Sequence, residues 1–191
     1  MRAMEIRRSE LILGGQKSGK SRRAEDLAAA WLAQSADCHA ALIATARAGD
    51  DEMRARIARH RRDRARRVPG LATLEAPRGL PDAIAGAGGP ETLRIVDCLT
   101  LWLTQRLLPL DATASEGDPD DGTPALVRAI GACPGPIVLV SNEIGWGVIP
   151  LGPDTRAFVD ALGTLNQAVA SVCERVTLMT AGLPLTLKDT P

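Results

Sequence analysis

Aromatic residues are nearly missing from this 191-residue chain, which has no tyrosine, one phenylalanine and three tryptophans. Surfaces that hold single-stranded nucleic acid stack bases on such rings, so Trp31, Trp102, Trp146 and Phe158 leave little for that purpose. Net charge is missing too. The 23 basic residues balance 23 acidic ones, so affinity for nucleic acid would have to come from a local patch and not from the whole surface. Cysteine is sparse: Cys38, Cys98, Cys133 and Cys173 lie far apart without a C-x-x-C pair, which argues against a zinc site and a disulfide scaffold and leaves reduced packing residues. No apolar run approaches a membrane span. Met1 to Glu10 carries Arg2, Arg7 and Arg8 but no apolar core of signal-peptide length, so the expected compartment is the cytoplasm. With 45% hydrophobic residues, the chain can fill one core. The reading is a single domain over 1–191, with an N-terminal extension at 1–10, an exposed acidic loop at 111–122 and no internal repeat.

Lysine is scarce as well, occurring only at Lys17, Lys20 and Lys188 among many arginines. Two of the three stand in Leu11-Ile-Leu-Gly14-Gly15-Gln16-Lys17-Ser18-Gly19-Lys20-Ser21, an apolar run that empties into Gly-x-x-x-x-Gly-Lys-Ser. That is the layout of a P-loop: the glycines let successive N–H groups point inward, Lys20 reaches the terminal phosphates, and Ser21 can ligate Mg²⁺. A compact ammonium kept at Lys20 suits that role. The motif sits between an expected strand, Glu10 to Leu13, and an expected helix, Arg22 to Leu32, as a P-loop requires.

Further buried strands are expected at Ala40 to Ala44, Leu93 to Val96, Ile137 to Val140 and Val176 to Met179. Helices are expected at Asp50 to Arg67, Leu99 to Leu108, Pro124 to Ile130 and Thr155 to Val172. Continuous apolar strands alternating with helices predict an α/β fold, a mostly parallel P-loop (RecA-like) sheet with helices on both faces. Ligands then sit at the carboxyl ends of the strands, which directs attention to Gly14 to Ser21, Thr45, Asp97 and Ser141-Asn142-Glu143. Asp97 ends an apolar run in a carboxylate, a Walker B pattern able to hold Mg²⁺ opposite Ser21.

The helix Asp50 to Arg67 carries a different signal. Asp50 or Asp51 can cap it, and Glu52 suits its first turn. Met53, Ile57 and His60 are spaced i, i+4, i+7, so the imidazole is expected on the stripe that faces the protein, with Arg56 and Arg64 one turn to either side. Three readings fit: a solvated arginine face with a packing histidine, a nucleic-acid stripe without interleaved aromatics, and a histidine nucleophile attacking a nucleotide phosphate among charge-neutralising arginines. Spacing alone does not choose among them.

The set Leu13-Gly14-Gly-Gln-Lys-Ser-Gly-Lys-Ser21, Ile43-Ala-Thr45-Ala46, Asp50-Asp-Glu-Met53 with Arg56-Ile57 and His60-Arg61, Val96-Asp97-Cys-Leu-Thr-Leu-Trp102, and Ser141-Asn-Glu143-Ile-Gly145-Trp-Gly147-Val-Ile-Pro150 resembles the bifunctional adenosylcobinamide kinase / adenosylcobinamide-phosphate guanylyltransferase family of cobalamin biosynthesis. The resemblance runs from about Leu11 to Leu187. It implies phosphorylation of a corrinoid hydroxyl by ATP or GTP, then transfer of GMP from GTP to the new phosphate through a guanylyl-histidine. It implies His60 as that nucleophile, Lys20 as catalytic, and nucleotide contacts from Gly14, Gly15, Gln16, Lys17, Ser18, Gly19, Lys20, Ser21, Ala44, Thr45, Ala46, Arg61, Arg62, Asp63, Arg64, Glu75 and Asp97. Ser21 and Asp97 would hold Mg²⁺. An imidazole with an ordinary pKa of about 6.5 is neutral near pH 7, and neighbouring arginines favour that form. The motif Ser141 to Pro150 either binds the corrinoid or shapes a loop. The resemblance also implies a homo-oligomer, with a trimer among its forms; charge balance and the missing aromatics argue against a nucleic-acid partner. Departures stand at Leu151-Gly-Pro153, where a Glu-Asn pair is expected, and in the long basic stretch Arg62 to Gly70. The alternative is another P-loop kinase or RecA-like ATPase in which His60 is structural.

Overall fold

A computed structural model describes residues 4–47, 49, 51–76, 79–108 and 122–190. Asp50, Pro77 and most of the expected acidic loop, 111–121, lie outside the described residues, as does the side chain of Arg56. In chain order the elements are β1 (Ser9–Gly14), α1 (Lys20–Leu32), β2 (His39–Ala44), α2 (Asp51–Arg67), β3 (Leu71–Glu75), α3 (Leu80–Gly86), β4 (Thr92–Asp97), α4 (Leu99–Leu107), α5 (Thr123–Ala132), β5 (Ile137–Val140), α6 (Pro153–Val172), β6 (Arg175–Thr180) and β7 (Leu183–Asp189).

The strands form one seven-stranded sheet in the order β3-β2-β4-β5-β1-β6-β7. Six run parallel, and β7 turns back antiparallel along β6. The apolar runs alternate between two cores. Leu11, Ile43, Val96, Leu139 and Leu178 face α3, α4, α5 and α6, packing with Ile84, Trp102, Leu126 and Leu165. Ile12, Leu42, Ile95 and Val138 face α1, packing with Ala24, Leu27 and Ala28. Helices on both faces of a parallel sheet are the arrangement its double-sided burial demands.

β3, α3 and β7 were not expected: β3 and β7 are the edge strands of the sheet, and α3, though Leu80 and Ile84 are fully buried, is too short to show a period. β3 is an edge strand whose residues are mostly exposed, so no apolar run announces it. β7 presents Leu183, Leu185 and Leu187 outward at 67%, 54% and 56% exposure. α3 is a single short helix of 7 residues with proline in its first turn. At the start of the chain, the expected extension 1–10 is shortened. Ser9 and Glu10 belong to β1, while Arg7 pairs with Asp189 at 3.0 Å and the Arg8 amide donates to Glu174 Oε2 at 3.0 Å.

Candidate active site

Strand register brings the carboxyl ends together. Ala44 is paired with both Glu75 and Asp97, Asp97 with Val140, and Gly14 with Met179. From β1 the chain turns through the phosphate loop, which needs glycine at its first position. Gly14 has φ of +148, and a Cβ there would lie 2.4 Å from the carbonyl oxygen of Met179. Gly15, Gln16 and Lys17 form the exposed crest, whereas Ser18 and Lys20 are buried. Gly19, at φ 103, opens α1, whose amino terminus thus points into the loop. Lys20 Nζ donates to the Gly15 carbonyl at 2.6 Å, holding the ammonium across the loop, and burial pushes its pKa below the usual lysine range.

One turn into the site, the Ser21 hydroxyl lies 3.5 Å from Asp97 Oδ1. The other carboxylate oxygen of Asp97 meets Arg64 Nη2 at 3.5 Å. Thr45 is fully buried, and its hydroxyl donates to the Cys98 carbonyl at 2.7 Å while accepting from the Cys98 amide at 2.9 Å. That side chain therefore braces the β4–α4 junction beside Asp97, while Ala44 and Ala46 flank it half-buried. On the other flank, the Glu143 amide donates to the Gly14 carbonyl at 3.2 Å. The Asn142 amide donates to Thr100 Oγ1, and Asn166 Nδ2 donates to the Asn142 carbonyl, each at 3.0 Å. The loop beyond leaves Trp146, Val148, Ile149 and Leu151 exposed at 73%, 96%, 76% and 96%.

α2 departs from one expectation: His60 is exposed and not pressed into an apolar stripe. The stripe it shares is too thin to hold the helix down, since Met53 and Ile57 are only half-buried. Firm contact comes later, at Arg64 and Val68, which are 7% and 3% exposed. Arg61 forms an ion pair with Glu75 at the end of β3. Arg62 and Asp63 are exposed. Sequence reasoning missed Glu25, a 3% exposed carboxylate on α1 that takes Arg67 Nε at 2.8 Å and Arg64 Nε at 3.7 Å. Its signal was an acid lying on the same stripe as Ala24, Leu27 and Ala28, where a core helix carries apolar residues.

A serine hydroxyl and a carboxylate facing each other at the mouth of a phosphate loop supply hard oxygen ligands of the kind Mg²⁺ accepts, with the phosphates of a nucleotide completing the shell. Among the described residues, no cluster of three or more His, Cys, Asp or Glu side chains forms a metal site of the protein's own.

Known proteins support the assignment. The family described as cobinamide kinase / cobinamide phosphate guanyltransferase matches residues 10–187. The bifunctional adenosylcobalamin biosynthesis protein CobP of Pseudomonas aeruginosa is 49% identical over 183 residues, covering 95% of this chain and 98% of the relative. The protein of the same description named CobU from Salmonella typhimurium is 34% identical over 188 residues, covering 93% and 98%. Among solved structures, the flagellar accessory protein FlaH of Methanocaldococcus jannaschii shares the fold at a TM-score of 0.52 and 14% identity, covering 95% of this chain and 78% of its own. The chain belongs to the cobinamide kinase / cobinamide phosphate guanyltransferase family and is an enzyme.

Proposed function

We propose that this enzyme phosphorylates the hydroxyl of adenosylcobinamide with ATP or GTP and then transfers GMP from GTP to that phosphate through a guanylyl group carried on His60. The observation that carries the reading is the Arg64–Asp97 ion pair. It ties the helix bearing His60 to the carboxylate that faces Ser21 across the phosphate loop.

In the kinase step the phosphate loop and Lys20 hold the triphosphate, the acceptor oxygen attacks the γ-phosphorus, the bond to the bridging oxygen breaks, and the hydroxyl proton passes to water. In the second reaction neutral His60 attacks the α-phosphorus of GTP through a ring nitrogen and pyrophosphate leaves. The cobinamide phosphate oxygen then attacks the same phosphorus, and the P–N bond breaks to return the imidazole. Lys20 and the loop amides neutralise charge on the departing pyrophosphate. Ser21 and Asp97 would hold Mg²⁺, which would supply further charge neutralisation. The remaining nucleotide contacts are assigned to Gly14 to Ser21, Ala44 to Ala46, Arg61 to Arg64 and Glu75. The protein works in the cytoplasm as a homo-oligomer. No described helix is long and apolar enough to cross a membrane.

The test is incubation with Mg²⁺ and GTP labelled at the α-phosphate, followed by denaturation. Wild type is expected to retain acid-labile, alkali-stable label, and His60→Ala to retain none while keeping its fold and GTP binding. Wild type that binds GTP without acquiring label overturns the guanylyl-histidine and leaves a P-loop kinase.

A further inference from the structure

α2 is poorly provided with apolar contacts. From Asp51 to Asp63 its described side chains are half-buried at best, and the helix meets the protein firmly only at Arg64 and at Val68 just beyond its end. What meets Arg64 and Arg67 is one carboxylate. Glu25 Oε2 lies 2.8 Å from Arg67 Nε, Glu25 Oε1 accepts from Arg67 Nη2 at 3.1 Å, and the same oxygen lies 3.7 Å from Arg64 Nε. Arg64 in turn reaches Asp97 Oδ2 at 3.5 Å. His60 stands four residues, about one helical turn, before Arg64.

A charged carboxylate buried on an otherwise apolar helical stripe is expensive. Burial pushes the Glu25 pKa up, against the pull of both arginines. Fold stability gives little reason to keep such a group, because a buried ion pair replaced by well-packed apolar residues is often neutral or stabilising. Direction is a better reason. Two guanidinium groups on successive turns, converging on a single fixed carboxylate, leave the helix little freedom to roll or slide, which a thin apolar stripe cannot achieve.

We propose that Glu25 is a positioning residue for transfer through His60. By gripping Arg64 and Arg67 it sets the bearing of α2, and so the approach of the imidazole to the α-phosphate held by the loop at the start of α1. The inference rests on the His60 reading above. It assigns Glu25 no contact with either substrate.

Glu25→Gln keeps the shape and removes the charge. The two half-reactions are measured separately in the full-length protein, alongside GTP affinity and Tm: cobinamide phosphorylation with ATP, and the single-turnover rate of histidine labelling from α-labelled GTP. Because misplacing a reacting group by about 1 Å costs on the order of 10²-fold, labelling is expected to slow at least tenfold while phosphorylation and GTP affinity stay within about twofold. Arg67→Gln, at the more exposed rim of the pair, is expected to slow labelling in the same selective way and serves if Glu25→Gln does not fold. The double variant is expected to be no slower than the worse single one, since both remove the same contact. Labelling at the wild-type rate in both single variants, or equal losses in both half-reactions, overturns the proposal. A wild type that takes no label at all overturns the His60 reading itself, and this inference with it.

Discussion

At Gly14 the demands of backbone and space coincide. A side chain would have to adopt φ of +148 and place its Cβ 2.4 Å from the Met179 carbonyl oxygen and 2.7 Å from Ser18 Oγ. Gly14→Ala is therefore expected to cost about 1–3 kcal/mol of stability and to weaken GTP binding at least tenfold, checked by chemical denaturation and by titration with a fluorescent nucleotide. The cysteines give a second test at this scale. All four are free and buried, and burial pushes the thiol of Cys98 up to about 11 and that of Cys173 up to about 12. At both, thiolate stays a small minority between pH 7 and 9, and burial keeps a thiolate-seeking reagent from reaching it. Ellman titration is expected to find no reactive thiol in the native protein over that range, and all of them in denaturant. The phosphate loop was legible because its chemistry is written in one contiguous octet. Glu25 was not, because its partners lie 39 and 42 residues further along the chain at Arg64 and Arg67.

Helices and strands were legible where they bury both sides. β1, β2, β4, β5 and β6 all carry apolar runs because each is covered on two faces. β3 and β7 escaped notice because an edge strand needs no such run, and β7 even turns its leucines outward. α2 was legible as a helix but not in its orientation. Periodicity places His60 on a stripe, yet only packing decides whether that stripe is pressed down, and its arginines favour water. Arg94 on β4 shows the converse: a charged residue 0% exposed, donating to the carbonyls of Ile84 at 3.0 Å and Thr92 at 2.9 Å, and also to Gly88. It ties the end of α3 to the sheet. Arg94→Leu strands those carbonyls in the interior and is expected to cost about 2–4 kcal/mol, measured by denaturant unfolding.

For the molecule as a whole, exposed apolar side chains gather, among the described residues, on the loop from Ile144 to Leu151 and on the outer face of β7 with Leu183, Leu185 and Leu187. A bare sheet edge lined with leucine is a template for association. The proposed homo-oligomer should sediment as more than one copy, and Leu185→Glu is expected to shift it toward the single chain; unchanged sedimentation would place the contact elsewhere. The fold class was readable at this scale because the order of apolar runs and helices limits parallel topologies so strongly. The antiparallel return of β7 was not.

That return has a practical consequence. β1 begins at Ser9 and β7 ends at Asp189, both at the end of the sheet opposite the phosphate loop. Glu5, Arg7, Arg175 and Asp189 stitch the two together, with Arg175 Nη2 lying 3.0 Å from Glu5 Oε2 and 3.1 Å from Asp189 Oδ2. A tether attached beyond either end emerges on the far side from the nucleotide, so the enzyme can be immobilised on a sensor chip through either one with its site turned toward the flowing ligand.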